Sequence, residues 1–429
     1  MSGVVLLFVL LICLMMASVP VGIALGISTL VTMVLTTNLN VITIPQYCFR
    51  GLDSFPLMAI PFFMLAGNLM KFGGLSEKLI NLSNSLVRGF KGGLGHVTIL
   101  ASMFFAALSG SAPATVMAIG STTIPQMEKH GYDRGYATAL AASAGTIGVI
   151  IPPSIPFVIY GVVSGASIGD LFVAGIIPGI LIGAVLMITN YIFARKYGYG
   201  GQGHANLHEF FHELKDAIWA LLVPVIILGG IYGGIFTPTE SAVVAVVYTL
   251  IIGFFVYKEL TWKKVWEAFM ETAALNGTTT FMVGLSMSFA AYLTLAGIPS
   301  AVGRTILSLN AGPVVILLLI NLVLLVIGCF VDNISSTIIL TPILLPIVQG
   351  IGMSPVQFGI VMTVNLAIGF ITPPYGVNLF YGSAIGKVTI EELSKKILPF
   401  IAAMIACLML LTFIEPISMF LPNIMDAAR

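Results

Sequence analysis

Long apolar runs recur from one end of this 429-residue chain to the other, and they decide its solvent. A helix crosses a bilayer with about 20 consecutive apolar residues. Here 58% of residues are hydrophobic and 8% are charged, against roughly 25% charged in a soluble domain. The chain therefore reads as an all-α polytopic membrane protein in a lipid bilayer. Its net charge of +1 offers no footprint for nucleic acid. The run from Val4 to Leu35 lacks a basic leading region and a cleavage site, so it is expected to stay as helices. Cys13, Cys48, Cys329 and Cys407 are scattered through apolar segments and read as packing residues, not as disulfide or metal partners.

Spans are expected at 4–18, 20–37, 52–71, 134–165, 171–195, 218–235, 240–257, 276–297, 354–386 and 395–420. Two apolar segments, 96–128 and 313–349, do not fit. As single helices they would run ~50 Å, too long for one span and too short for two. Each is interrupted by small and polar residues, "LSGSAPAT" from Leu108 and "FVDNISST" from Phe330. Both are expected to be re-entrant hairpins that turn at mid-depth and leave by the side they entered. Segments 72–91 and 299–310 mix apolar and polar residues and read as in-plane arms. Lys and Arg set the orientation: with the segment after the third span inside, only Arg50, Arg304 and Arg429 of the 18 lie outside. Both termini then face outward, the first hairpin opens inward and the second outward.

The two halves repeat. A shift of 221 residues pairs Pro125 with Pro346, Pro152 and Pro153 with Pro373 and Pro374, Tyr160 with Tyr381, and Pro178 with Pro399, without a gap. Five spans and a hairpin per half make an odd number of crossings, so the second copy is inverted. The expected units are a first repeat at 1–200, a cytoplasmic amphipathic linker at 201–217, and a second repeat at 218–429.

Each half thus brings a hairpin tip and a proline-broken helix (134–165 or 354–386) to mid-depth. A single proline pair also fits a plain kink; two copies in one register favour a site lined by irregular backbone. Freed carbonyls and hydroxyls are hard donors for Na⁺, the expected coupling ion, and no organic cofactor is expected. The Na⁺ candidates are Ser109, Gly110, Ser111, Thr115, Gly145, Thr146, Gly148 and Val149, then Asp332, Asn333, Ser336, Gly369 and Thr372. Half-helices that restart after the prolines aim their positive ends at an anion. Its expected contacts are Ser111, Pro152, Pro153 and Ser154, then Asn333, Ser335, Thr372, Pro373, Pro374, Tyr375 and Asn378. Asp332 is the one carboxylate expected at mid-depth, and Ser111 is its counterpart, so the two ion sites should differ.

The stretches "FPLMAIPFFMLAGNLM" (55–70), "SGSAPAT" (109–115), "GVIIPPSIPFVIYG" (148–161), "FTPTESA" (236–242), "DNISS" (332–336) and "ITPPYGVNLF" (371–380) go together. With them the chain resembles the large membrane subunit of the tripartite ATP-independent periplasmic (TRAP) transporters over nearly its whole length. The resemblance implies an inverted-repeat, elevator-type carrier of the ion transporter superfamily in the bacterial inner membrane. It implies Na⁺-driven symport of an organic acid, with sialic acid favoured over C4-dicarboxylates by overall likeness alone. It also implies a separate four-helix small membrane subunit and a periplasmic substrate-binding protein. The alternative within the superfamily is a self-sufficient Na⁺/carboxylate carrier.

A rival reading rests on "HEFFH", His208 to His212, which matches the HExxH pattern of zinc proteases, with His204 one turn earlier. The motif lies in a polar stretch beside Lys215, Asp216 and Trp219, which fits an interfacial helix better than a catalytic centre. An ATP-driven pump is unsupported, because "GSAIGKV" has the wrong spacing for a phosphate loop. The chain is not expected to be an enzyme.

Overall fold

The computed structural model describes residues 2–17, 19–37, 40–201, 207–308 and 312–427, and among these there is helix but no strand. His204, Arg429, linker positions 202–206 and arm positions 309–310 lie outside them. Among the described residues seven helices are long and apolar enough to cross a membrane: Phe55–Phe72, Ile168–Tyr197, His208–Tyr232, Pro238–Val256, Trp262–Leu295, Asn333–Gly350 and Ile390–Phe413.

Several helices differ in length or bounds from the expected spans. Ser2–Met16 and Val21–Thr36 are apolar helices of 15 and 16 residues, shorter than a full crossing. The segment 395–420 is two helices, Ile390–Phe413 and Glu415–Ala427, with a break at Ile414. Pro416 sits in the first turn of the second, where its missing N–H costs nothing. The stretch 207–217, expected as part of a linker, forms the opening turns of Leu207–Tyr232. The span expected at 276–297 is the end of a 34-residue helix, Trp262–Leu295, about 51 Å long. Lys263, Lys264, Glu267 and Glu271 hid its first turns from an apolar-run search. Thr261 caps it by accepting from the Lys264 N–H, and Lys71 meets Glu271 at 3.0 Å. Asn68 donates to Thr272 Oγ1 at 2.9 Å one position on, so Ala59–Phe72 is bolted to the long helix by neighbouring polar contacts.

The halves match element by element at the 221-residue shift. Gly93–Ser109 and Ala112–Lys129 correspond to Pro313–Gly328 and Asn333–Gly350. Arg134–Gly145 and Ile155–Ser164, on either side of the first break, correspond to Pro355–Gly369 and Val377–Gly386. Packing is exchanged between the halves. Ala112–Lys129 lies against Val377–Gly386, and Asn333–Gly350 lies against Ile155–Ser164. That reciprocity is what a two-fold relation between the halves produces.

The helices leading into the breaks form the centre. Arg134–Gly145 is Ala, Gly, Ser or Thr except at Arg134, Tyr136 and Leu140, and every residue from Gly135 to Gly145 is buried. Small residues let neighbouring backbones approach closely, which is how helices associate where lipid tails remove the hydrophobic drive. Pro355–Gly369 is likewise buried from Gln357 to its end. Its last residue meets the backbone of Gly328 so closely that a Cβ at Gly369 would collide with the Gly328 carbonyl.

That contact makes a prediction. Gly369→Ala should destabilise the purified protein by about 1–3 kcal/mol, because neither backbone can yield. Gly229→Ala, at a helical position with open space around it, should leave the melting temperature unchanged. Equal melting of the two variants would show that the Gly328–Gly369 approach is not tight.

Candidate functional site

At the first break the helix ends at Gly145, tightens over Thr146–Val149 and restarts at Ile155. Proline at 152, 153 and 156 leaves that stretch short of backbone donors. Side chains fill the gap. Ser154 Oγ donates to the Val149 carbonyl at 2.6 Å and accepts from the Phe157 N–H at 3.4 Å, spanning the break from one end to the other. The Ile155 N–H donates to the Gly110 carbonyl at 3.3 Å, tying the restart to the first hairpin's tip.

The tip itself is two residues, Gly110 and Ser111, between the hairpin's limbs. Thr115 Oγ1 donates to the Ser111 carbonyl at 2.8 Å and lies 3.1 Å from Ser109 Oγ. Gly148 rests directly on this pair, and a Cβ there would strike the Ser111 carbonyl and Thr115 Oγ1. The structure therefore brings Ser109, Gly110, Ser111, Thr115, Gly148, Val149, Pro153 and Ser154 together. Gly145 also touches the returning limb, at Val116. Thr146 is turned away: its hydroxyl donates to the Ser143 carbonyl at 2.6 Å.

The second half uses the same plan with a different balance of partners. Its tip, Cys329–Asp332, is longer. Gly369, the counterpart of Gly148, rests on Gly328. Thr372 Oγ1 donates to the Ile368 carbonyl at 2.8 Å, and the Asn378 N–H donates to the Phe370 carbonyl at 2.9 Å. Both proline pairs, Pro152–Pro153 and Pro373–Pro374, are joined by cis peptide bonds. Asn378 Nδ2 donates to the Ala142 carbonyl at 3.1 Å, so the second restart is pinned to the helix entering the first break. Tyr375 is 60% exposed, with its ring 6.2 Å from that of Phe330.

Asp332 caps the returning limb: Oδ2 accepts from the Ser335 N–H at 2.9 Å. Its other oxygen, Oδ1, is buried with no hydrogen-bonding partner, as are Ser336 Oγ and Asn378 Oδ1. The Asn333 amide nitrogen is unpartnered too, while its oxygen accepts from Thr337 at 3.2 Å. Buried polar atoms left in this state cost free energy unless something meets them. The unmet oxygens, one from a carboxylate and the others neutral, are hard donors of the kind a monovalent cation takes. The first seam is met internally instead, and its donors are hydroxyls and carbonyls already gathered around Gly148.

Two contacts at the second tip depend on the fold and not on local sequence. Ser335, a candidate anion contact, accepts at 3.1 Å from Ser286 Oγ of the long helix Trp262–Leu295. Nothing in the apolar stretch around Ser286 marks that serine as a partner. Phe330 was visible inside the quoted tip, and only the fold sets it beside Tyr375.

The contacts of Glu209 stand against the zinc reading. Arg88 donates to both carboxylate oxygens of Glu209, which removes the general base such a site needs. His212 faces Glu213 at 3.8 Å, and among the described residues no three His, Cys, Asp or Glu side chains gather to hold a metal.

Comparison with known proteins gives a consistent result. The family model described as tripartite ATP-independent periplasmic transporter, DctM component, matches residues 8–417. The chain is 47% identical to the isethionate TRAP transporter permease protein DctMQ of Oleidesulfovibrio alaskensis, over 95% of this chain and 64% of that protein. It is 37% identical to the C4-dicarboxylate TRAP transporter large permease protein DctM of Rhodobacter capsulatus, over 99% of this chain and 100% of the relative. The sialic acid TRAP transporter large permease protein SiaM of Vibrio cholerae is 38% identical, over 96% of each chain. Among solved structures, the YdaH transporter of Alcanivorax borkumensis shares the fold, with a TM-score of 0.56 at 14% identity over 86% of this chain and 88% of that one. The relatives are transporter permeases, not enzymes.

A His208→Ala/His212→Ala double variant should keep substrate uptake within about twofold of the parent, the range of a surface substitution. It should carry no less zinc than the parent, because neither should hold a stoichiometric amount. Loss of uptake together with loss of bound zinc would restore the metal reading.

Proposed function

The chain belongs to the DctM-component family of TRAP transporters, and from that premise we propose that it is the Na⁺-driven membrane permease for a small organic anion. The observation that carries the proposal is the doubled seam of hairpin tip against broken helix, with buried oxygens unmet at the second copy. Ser109, Ser111, Thr115 and the carbonyls near Gly148 would hold one cation. Asp332, Asn333 and Ser336 with the carbonyls near Gly369 would hold the other. Bound Na⁺ would supply positive charge beside the anion and neutralise Asp332, whose charge in a low-dielectric interior is costly alone.

The anion would lie where Ile155–Ser164 and Val377–Gly386 begin, since a helix start favours negative charge. The named substrates of the relatives are isethionate, C4-dicarboxylates and sialic acid. What they share is an acidic head, a sulfonate or a carboxylate, and that is the class proposed here. The lean toward sialic acid gains no support, because the isethionate relative is the more similar, at 47% against 38%.

The rest of the reading concerns motion and partners. The hairpins are re-entrant, the halves are inverted, and the tips and breaks travel as a unit against the bolted pair Ala59–Phe72 and Trp262–Leu295. Leu75–Val87 and Ile298–Ser308 would be the connecting arms. A small membrane subunit and a periplasmic binding protein would complete the system in the bacterial inner membrane, with both termini periplasmic by the distribution of Lys and Arg.

Two tests follow. Reconstituted alone in proteoliposomes, this chain should take up little free substrate, and adding the small subunit and binding protein should restore uptake. Robust uptake by the isolated chain would favour a self-sufficient carrier. Asp332→Asn should raise the Na⁺ concentration for half-maximal uptake, with substrate binding by the soluble partner unchanged. An unaltered Na⁺ curve would leave Asp332 as a helix cap only.

A further inference from the structure

Beneath the second seam lies a buried chain of amides that the first half lacks. Asn321 on Pro313–Gly328, Asn365 on Pro355–Gly369 and Thr412 on Ile390–Phe413 are 2%, 0% and 2% exposed. Thr412 Oγ1 donates to the Leu408 carbonyl at 2.8 Å and so is left to accept from Asn321 Nδ2 at 2.9 Å. Asn321 must then turn its oxygen toward Asn365, whose Nδ2 donates to it at 2.8 Å and to the Val361 carbonyl at 2.9 Å. The direction of every bond follows from the first one. Asn365 Oδ1 ends the chain, buried and without a partner.

The position matters as much as the bonds. Asn365 is one turn before Gly369, and Asn321 is about two turns before Gly328. The amide pair and the glycine pair therefore lie along one line of contact between the second hairpin's entering limb and the helix that leads into the break. At the 221-residue shift the counterparts of Asn321, Asn365 and Thr412 are Leu100, Ala144 and Tyr191. The first half builds the same helices without the amides, so the fold as such does not require them. An apolar line of contact tolerates small slips along it, whereas a directional hydrogen bond between two buried amides, Asn365 Nδ2 to Asn321 Oδ1, holds one register.

We propose that Asn321 and Asn365, held by Thr412, are positioning residues that set the register of the second hairpin against the broken helix and thereby form the second cation site. The inference rests on the reading of that seam as a site for Na⁺. Asn365 does not need to touch the ion. It fixes the distance between the Gly369–Thr372 backbone and the tip that carries Asp332.

The test is Na⁺-dependent thermal stabilisation of the purified chain, titrated with Na⁺ against choline, which needs neither substrate nor partner proteins. The variant Asn321→Leu/Asn365→Ala carries the residues that the first half has at the matching positions, Leu100 and Ala144. It should melt near the parent in choline yet need at least about fivefold more Na⁺ for half of the stabilisation, the effect of one lost hydrogen bond. Asn321→Ala, which spares the bond from Asn365 to Val361, should shift in the same direction and serves if the double variant does not fold. A lower melting temperature with an unchanged Na⁺ half-point would make the amides merely structural and overturn the proposal. No Na⁺-specific stabilisation of the parent would overturn the cation reading itself, and the proposal with it.

Discussion

Everything in this molecule answers to one constraint: inside hydrocarbon, a broken helix must find partners for its own backbone. Two helices are broken here by proline pairs: the first break takes a backbone partner from its own half's hairpin at Gly110, and the second closes on itself at Phe370 and Thr372 and is pinned to the Ala142 carbonyl. The contact is intimate because a glycine stands at each meeting point, Gly148 against the Ser111 carbonyl and Gly369 against Gly328. The small-residue helix Arg134–Gly145 at the centre belongs to the same solution, since bulk there would hold the other elements away.

The halves share this plan and differ in what remains unmet. At the first seam Ser109, Thr115 and Ser154 satisfy one another and the nearby carbonyls. At the second, Asp332, Asn333, Ser336 and Asn378 each keep a buried polar atom without a partner. One seam carries a carboxylate and the other does not, so any cations they hold would not be held alike. The second also carries amides along its line of contact where the first carries Leu100 and Ala144.

Much of this was legible because periodic apolar runs, proline pairs and the 221-residue repeat are properties of the chain itself. Segments 96–128 and 313–349 showed by their small and polar interruptions that each would break, and each is two helices joined by a short turn. What stayed hidden was whatever depends on polar helix. Thr43–Leu52 has no buried residue and no apolar run, and it packs on the long helix all the same. The opening turns of Trp262–Leu295 were masked by charges that the fold pairs, Lys71 with Glu271 among them. Ser286 and the Asn365–Asn321 bond join residues far apart in sequence, and no local pattern announces such a meeting. The histidine pattern was already outweighed by its polar setting, and Arg88 pairing with Glu209 adds a contact that the local spacing does not reveal.

The central claim is that the paired seams couple an organic anion to Na⁺. The most direct measurement is the reversal condition of uptake in vesicles holding the complete transporter, with internal and external Na⁺ and anion varied at clamped membrane potential. If the seams carry the coupling ion, net anion flux will change direction when the Na⁺ gradient is reversed and will keep its direction when the proton gradient is reversed. A flux that ignores the Na⁺ gradient, or follows protons, would contradict the account.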